Sequence, residues 1–264
     1  MLDMTVISEA ARTYGAVLSY AVLVSTRVAV AMASMPAPFG TLAPVTTRAV
    51  LSVCLAGIMT LVHGLGAPQL PIEGPALLMA GLGEAIVGAV IGLTVRVTLG
   101  AAEVAGTVAS MSMGLGFASS IDPNYGENSS PPTQLLAFIS TLIFFIFGGH
   151  HAVISALSAS IRLLPPGHVL AVVSHDGVIG LGGRMLARGL QIATPVIGTM
   201  MVIQFGLALA SRAAPKVHLM YLSFAVSVGA GVVTLFVAAP SVAMAIAQEV
   251  RHLPQLLAAA LGVY

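Results

Sequence analysis

The sequence predicts an all-α, polytopic integral membrane protein of about six long hydrophobic helices in hairpins, with a short re-entrant or broken segment near residues 101–132. Three observations carry that expectation. Of the 264 residues, 58% are hydrophobic, and the mean hydropathy is +1.02. Charged residues make up only 7%, where an average soluble domain has about 25%. The apolar residues also fall in runs close to the roughly 20 residues that a helix needs to cross the hydrocarbon core.

The first run, 15–35, is followed by PAPFGTLAP at 36–44. Proline ends it because the ring removes a hydrogen-bond donor and pushes the preceding residue out of the helical region. The second run, 49–65, closes in GLGAPQLPIEGP at 64–75, and the third covers 76–99. A further apolar segment, 101–119, follows with almost no punctuation and fits a continuation, a re-entrant piece or a seventh helix. With Arg48, Arg212 and Lys216 on the cytoplasmic side, six crossings satisfy the chain and 101–119 returns without crossing, although Arg184 and Arg188 then fall outside. DPNYGENSSPP at 122–132 closes that segment, and Ser130 before Pro131 reads as an N-cap with proline in the first helical turn. Runs 135–164, 186–210 and 218–247 complete the set, with LPPG at 164–167 as a turn. The chain reads as one membrane domain over 1–264, with no clear internal repeat.

Several function classes are disfavoured. A formal charge of +1 leaves no basic footprint for nucleic acid. The single Cys54 permits no disulfide within the chain and no thiolate metal cluster. Asp3, Glu9 and Arg12 are not the basic start of a signal peptide, so the N-terminus is expected to be retained. No Gly-x-Ser-x-Gly elbow is present, and Gly114-Leu115-Gly116 runs into Phe117 rather than an aspartate. His150 and His151 are adjacent, about 100° apart on a helix, which does not make a chelating pair. No enzyme, metal or cofactor is expected.

Small residues recur at four-residue spacing: Gly88 and Gly92, then Ala102, Gly106, Ser110, Gly114 and Ala118. In lipid such seams let helix backbones approach closely. Arg27, Glu84, Arg96 and Glu103 lie within or beside apolar runs, where a central charge costs at least about 2.5 kcal/mol. Structural pairing between helices is the expected role of Arg27 and Glu84, ahead of a proton or ion relay through Glu84. The stretch from Met113 through Gly114, Leu115, Gly116, Phe117, Ala118 and Ser119 is small, flexible and apolar, and then turns abruptly polar.

These residues carry a resemblance. MGLGFASSIDP at 113–123, the polar loop after it, a run closing in FGGH at 147–150 and LPPG at 164–167 resemble the FliR family of flagellar export-gate proteins. The similarity extends in order through Arg27, Pro36 and Pro44, through Glu84 with Gly88 and Gly92, and through Pro195, QFGLA at 204–208 and RAAP at 212–215. Thr107 and Ser112 depart from the family's usual Glu and Gln, and Ala225 from its usual proline. The corresponding subunit of virulence-type injectisomes shares much of the pattern.

The resemblance implies one copy of this chain assembling with five FliP-like and four FliQ-like subunits, beside FlhB-like and FlhA-like components. Residues of about 1–175 would form a FliP-like part and about 176–264 a FliQ-like helical pair. The assembly would sit in the bacterial inner membrane at the flagellar basal body, with part of it above the membrane plane. Unfolded export substrates would pass through its pore. Met113 to Ser119 would be the plug that closes it, with Phe117 filling the constriction. A secondary transporter using Glu84 is the competing class and needs internal repeats that the sequence does not show. A scaffold without pore contact is the third.

Overall fold

The computed structural model describes residues 4–36, 44–64, 74–115, 130–167, 175–213 and 219–262. Seven helices are found among the described residues: α1 (Met4–Ser34), α2 (Val45–His63), α3 (Gly74–Ser112), α4 (Pro131–Ile146), α5 (Gly149–Leu163), α6 (His175–Ala213) and α7 (Leu219–Ala260). No strand occurs among those residues. Five helices are long and apolar enough to cross a membrane, or six if α4 and α5 count as one broken span. The chain is thus an all-α polytopic membrane protein.

Three boundaries differ from the simplest reading of the runs. Continuation is the outcome for 101–112, since α3 passes through Gly100 without interruption. Gly100 serves packing and not breakage, because a side chain there would meet the Met185 sulfur at 2.9 Å. The expected break near 101–132 therefore begins only at Met113. The 135–164 run is the converse case: the helix stops at Phe147, and Gly148 takes φ +69°, a left-handed conformation that suits glycine. The last run continues past 247 to Ala260 because its polar stretch is partnered. Glu249 pairs with Arg188 at 2.8 Å, and Arg251 lies 4.6 Å from the Phe147 ring centre.

Helices α6 and α7 both pass through proline, at Pro195 and at Pro240 and Pro254. Membrane helices tolerate such interruptions when neighbours re-satisfy the freed groups. After Pro195, Thr199 Oγ1 bonds back to the Pro195 carbonyl at 2.9 Å. At the start of α4, Ser130 stands in the cap position but makes no cap bond to the backbone. Its hydroxyl meets that of Thr133 at 2.9 Å instead, and Pro131 and Pro132 leave fewer amides to cap.

The chain divides into two compact units, one of residues 1–96, 149–180 and 252–264, the other of 97–148 and 181–251. In the first, α1 packs along α2, and α2 touches α5. Its buried faces follow helical period: Leu23, Val24, Val28 and Ala31 on α1, Val87, Ile91 and Val95 on α3, Leu157 and Ile161 on α5. In the second, small residues of α3 are buried, including Ala102, Ala105, Ala109 and Ser110, with Val196 and Met200 from α6.

Candidate functional site

Within the first unit, Glu84, Gly88 and Gly92 follow at four-residue spacing and so share one face of α3. A side chain on Gly88 would strike the Arg27 carbonyl, and one on Gly92 would strike Ser34 and the Ala31 carbonyl. The absence of Cβ atoms thus lets the α1 and α3 backbones touch. That closeness brings Arg27 and Glu84 together, both fully buried. Arg27 Nε donates to Glu84 Oε2 at 2.6 Å, Nη1 to Ser160 Oγ at 3.1 Å and Nη2 to the Leu164 carbonyl at 2.9 Å. The other carboxylate oxygen, Oε1, accepts from the Gly167 N–H at 3.0 Å. Both charges are therefore paired and hydrogen-bonded, the condition under which ions persist in a low-dielectric interior. Arg96 and Glu103, by contrast, are exposed on α3.

Within the second unit the feature is the end of α3. Gly114 takes φ +82°. Its N–H bonds to the Met111 carbonyl and the Leu115 N–H to the Ser110 carbonyl, each at 3.0 Å. This pair of bonds around a left-handed glycine is a Schellman cap. Gly114 thus stops the helix, and the small-residue seam of α3 ends at Ser110. Met113 is fully buried with Ala109, Val196 and Met200, and Leu115, Ile203, Ala230 and Leu235 pack against that cluster. A Cβ on Gly231 would collide with the Met113 thioether, so Gly231 makes the slot that Met113 fills. Gln204 Nε2 donates to the Ser112 carbonyl at 3.2 Å, taking up one of the acceptors the helix end leaves open. Further up α3, Gly106 abuts the backbone of Pro132 and Thr133, which a side chain would displace.

Gly116, Phe117, Ala118 and Ser119 lie outside the described residues. Those of the stretch that are described, Met113, Gly114 and Leu115, lie at the capped end of α3. Sequence reasoning missed Ser160, Leu164 and Gly167 as partners of the ion pair, and Gly231 and Met200 as partners of Met113. LPPG was visible only as a turn, and nothing local marked its ligands. A groove of about 550 Å³ lies between Pro195 and Thr199 of α6 and Val233, Thr234, Val237, Ala238 and Ser241 of α7. Its hydroxyls donate to their own helices: Thr199 to Pro195, Thr234 to Ala230 and Ser241 to Ala238. Among the described residues no group of three or more His, Cys, Asp or Glu side chains could hold a metal.

Comparison with known proteins spans the stretch that holds these residues. The family model described as "Bacterial export proteins, family 1" matches residues 18–253. The flagellar biosynthetic protein FliR of Pectobacterium carotovorum is 29% identical over 195 residues, covering 71% of this chain and 74% of the relative. FliR of Escherichia coli K12 is 24% identical over 200 residues, covering 75% and 77%. The Yop proteins translocation protein T of Yersinia pestis is 28% identical over 159 residues, covering 59% and 61%. With a match running almost from end to end and including the ion pair, the glycine seam and the cap at Gly114, this chain belongs to the bacterial export proteins, family 1, the FliR family of export-gate membrane proteins.

Proposed function

We propose that this chain is the single-copy FliR-type subunit of a flagellar type III export gate in the bacterial inner membrane. It assembles with five FliP-like and four FliQ-like subunits, next to FlhB-like and FlhA-like components, and unfolded proteins pass through the resulting pore. Residues of about 1–175 act as the FliP-like part and about 176–264 as the FliQ-like pair. The chain performs no covalent chemistry.

The observation that carries this reading is a mismatch of length and cover. Helices α3, α6 and α7 have 39, 39 and 42 residues, or about 58–63 Å at ~1.5 Å per residue, twice the ~30 Å hydrocarbon core. On α3 the exposed large apolar side chains run from Leu78 to Met111, about 50 Å at ~1.5 Å per residue. Apolar surface longer than a bilayer is thick needs protein neighbours, which supports an assembly partly above the membrane plane.

Met113, Gly114, Leu115, Gly116, Phe117, Ala118 and Ser119 form the plug. The buried Met113 and the cap at Gly114 give the loop a fixed root. Phe117 then closes the lumen, where an apolar constriction excludes ions by dewetting. The test compares Phe117→Ala and deletion of residues 116–119 with wild type at matched complex levels, leaving the cap in place. Assembly survives and ion conductance across the membrane rises; gates that assemble and stay as tight as wild type would remove the plug from this stretch.

The Yersinia relative supports an injectisome as the second reading. The flagellar one is favoured because the Pectobacterium and Escherichia coli flagellar relatives cover 71% and 75% of the chain against 59% for the Yersinia protein. Deletion of this chain abolishes swimming under the flagellar reading; a fully motile deletion strain assigns the injectisome.

A further inference from the structure

The turn Leu164-Pro165-Pro166-Gly167 is closed from outside. In a four-residue turn the first carbonyl commonly accepts from the fourth N–H. Here the Leu164 carbonyl accepts from Arg27 Nη2 at 2.9 Å, and the Gly167 N–H donates to Glu84 Oε1 at 3.0 Å. Pro165 and Pro166 carry no N–H, so Gly167 supplies the donor of the turn and Glu84 takes it. Gly167 has φ +94°, which turns the chain sharply as it leaves α5.

The pair itself lacks the geometry that would best clamp helix to helix. A bidentate fork, two parallel bonds between guanidinium and carboxylate, is the strong arrangement. Only Nε and Oε2 meet directly. Each partner gives its second arm to the turn, and Nη1 reaches Ser160 Oγ, which in turn donates to the Leu157 carbonyl at 2.8 Å. The α1–α3 contact is meanwhile secured without charge at Gly88 and Gly92, and a buried ion pair seldom outperforms apolar residues of the same size in holding helices together.

We infer that Arg27 and Glu84 are positioning residues: together they are a main-chain receptor for the diproline turn, and they fix where the chain departs from α5 toward α6. Their recognition is of backbone atoms, so the turn is read by the placement of its prolines and glycine. The receptor would hold the turn at the end of α5, and its loss would free the turn while α1 and α3 stay joined.

Amide hydrogen exchange on the assembled complex tests this, with fragmentation that isolates Gly167. Between residues 164 and 167 only Leu164 and Gly167 have exchangeable amides, and the Leu164 N–H, bonded to the Ser160 carbonyl at 2.8 Å, serves as a reference for α5. Replacing both partners together, Arg27→Met with Glu84→Met, leaves no unpaired buried charge. The expected result is that Gly167 exchanges at least about tenfold faster, while amides of 20–34 and 84–96 stay within about twofold of wild type. Gly167 protection that persists in the double variant, or that is lost together with that of α1 and α3, overturns the inference. A second comparison holds should the double variant not accumulate. Glu84→Gln keeps a carbonyl acceptor for Gly167 and exchanges more slowly there than Glu84→Ala; equal rates in the two would likewise overturn the receptor.

Discussion

In the unit that contains α1, the groups sealed at the centre are Arg27 and Glu84; in the unit that contains the end of α3, they are Met113, Met200, Val196 and Ala109. Both centres are equally dry, yet the forces differ in kind. The ion pair is held by directional bonds of 2.6–3.1 Å to named atoms, and few arrangements satisfy all of them. The methionine cluster is held by dispersion, in which each atom pair contributes only about 0.1–0.2 kcal/mol and no direction is preferred. A thioether on an unbranched chain refits easily. Directional bonding suits a junction that must stay in register, whereas a soft apolar seat tolerates repacking of the side chains that line it.

The sharpest way to break this contrast is to remove one charge. Arg27→Leu leaves Glu84 buried without its partner, and the expected loss is about 3–5 kcal/mol, read as absence of chain and complex from membranes at ordinary growth temperature. A complex recovered at wild-type yield would mean that water reaches Glu84 and that the centre is not dry.

Met113→Ala is next, at about 2–5 kcal/mol for a fully buried methionine. Because Gly231 shapes the slot, Met113→Ala combined with Gly231→Val restores part of the lost denaturation midpoint. A double variant no better than the sum of its singles would show that the two positions do not share one space.

Gly106→Leu tests the seam in the same unit. Its side chain would displace the α4 backbone at Thr133, so overpacking of about 1–3 kcal/mol is expected. Gly198 is the comparison, since a Cβ there meets nothing within 4 Å. Gly198→Ala should leave the chain's own stability unchanged or raise it by up to about 1 kcal/mol through helix propensity. The reverse order of effects would place the seam on the wrong face.

The smallest effect is expected at Arg188, whose pairing with Glu249 joins α6 to α7 with 48% of the arginine side chain still exposed. Arg188→Ala should shift stability by no more than about 1 kcal/mol, less at high salt. A loss comparable to that of Arg27→Leu would show that a neighbouring subunit buries this pair in the assembly.

How much of this was legible beforehand depended on range along the chain. Hydropathy and helical period are sums over neighbouring residues, so helicity and the long apolar runs could be read directly. The stop at Gly114 was not legible: the apolar segment runs to 119 with Gly114 on its small-residue face, and the cap required the bond pattern at Ser110 and Met111. Run boundaries were the weakest part. The third apolar run ends at 99 with three outcomes open beyond it, and the helix continues through Gly100, which is a contact; Gly148 lies inside the 135–164 run and ends a helix.

The sequence by itself determined that this is a helical membrane chain of the FliR family, because apolar length, scarcity of charge and the ordered motifs are properties of the linear string. Only the tertiary structure decided what its buried charges do. Arg27 meets Ser160 and Leu164 across 133 and 137 positions, and Glu84 meets Gly167 across 83. No local pattern encodes such a meeting. It follows from two glycines that let α1 and α3 touch, and from the high cost of leaving a charge unpaired once water has been excluded.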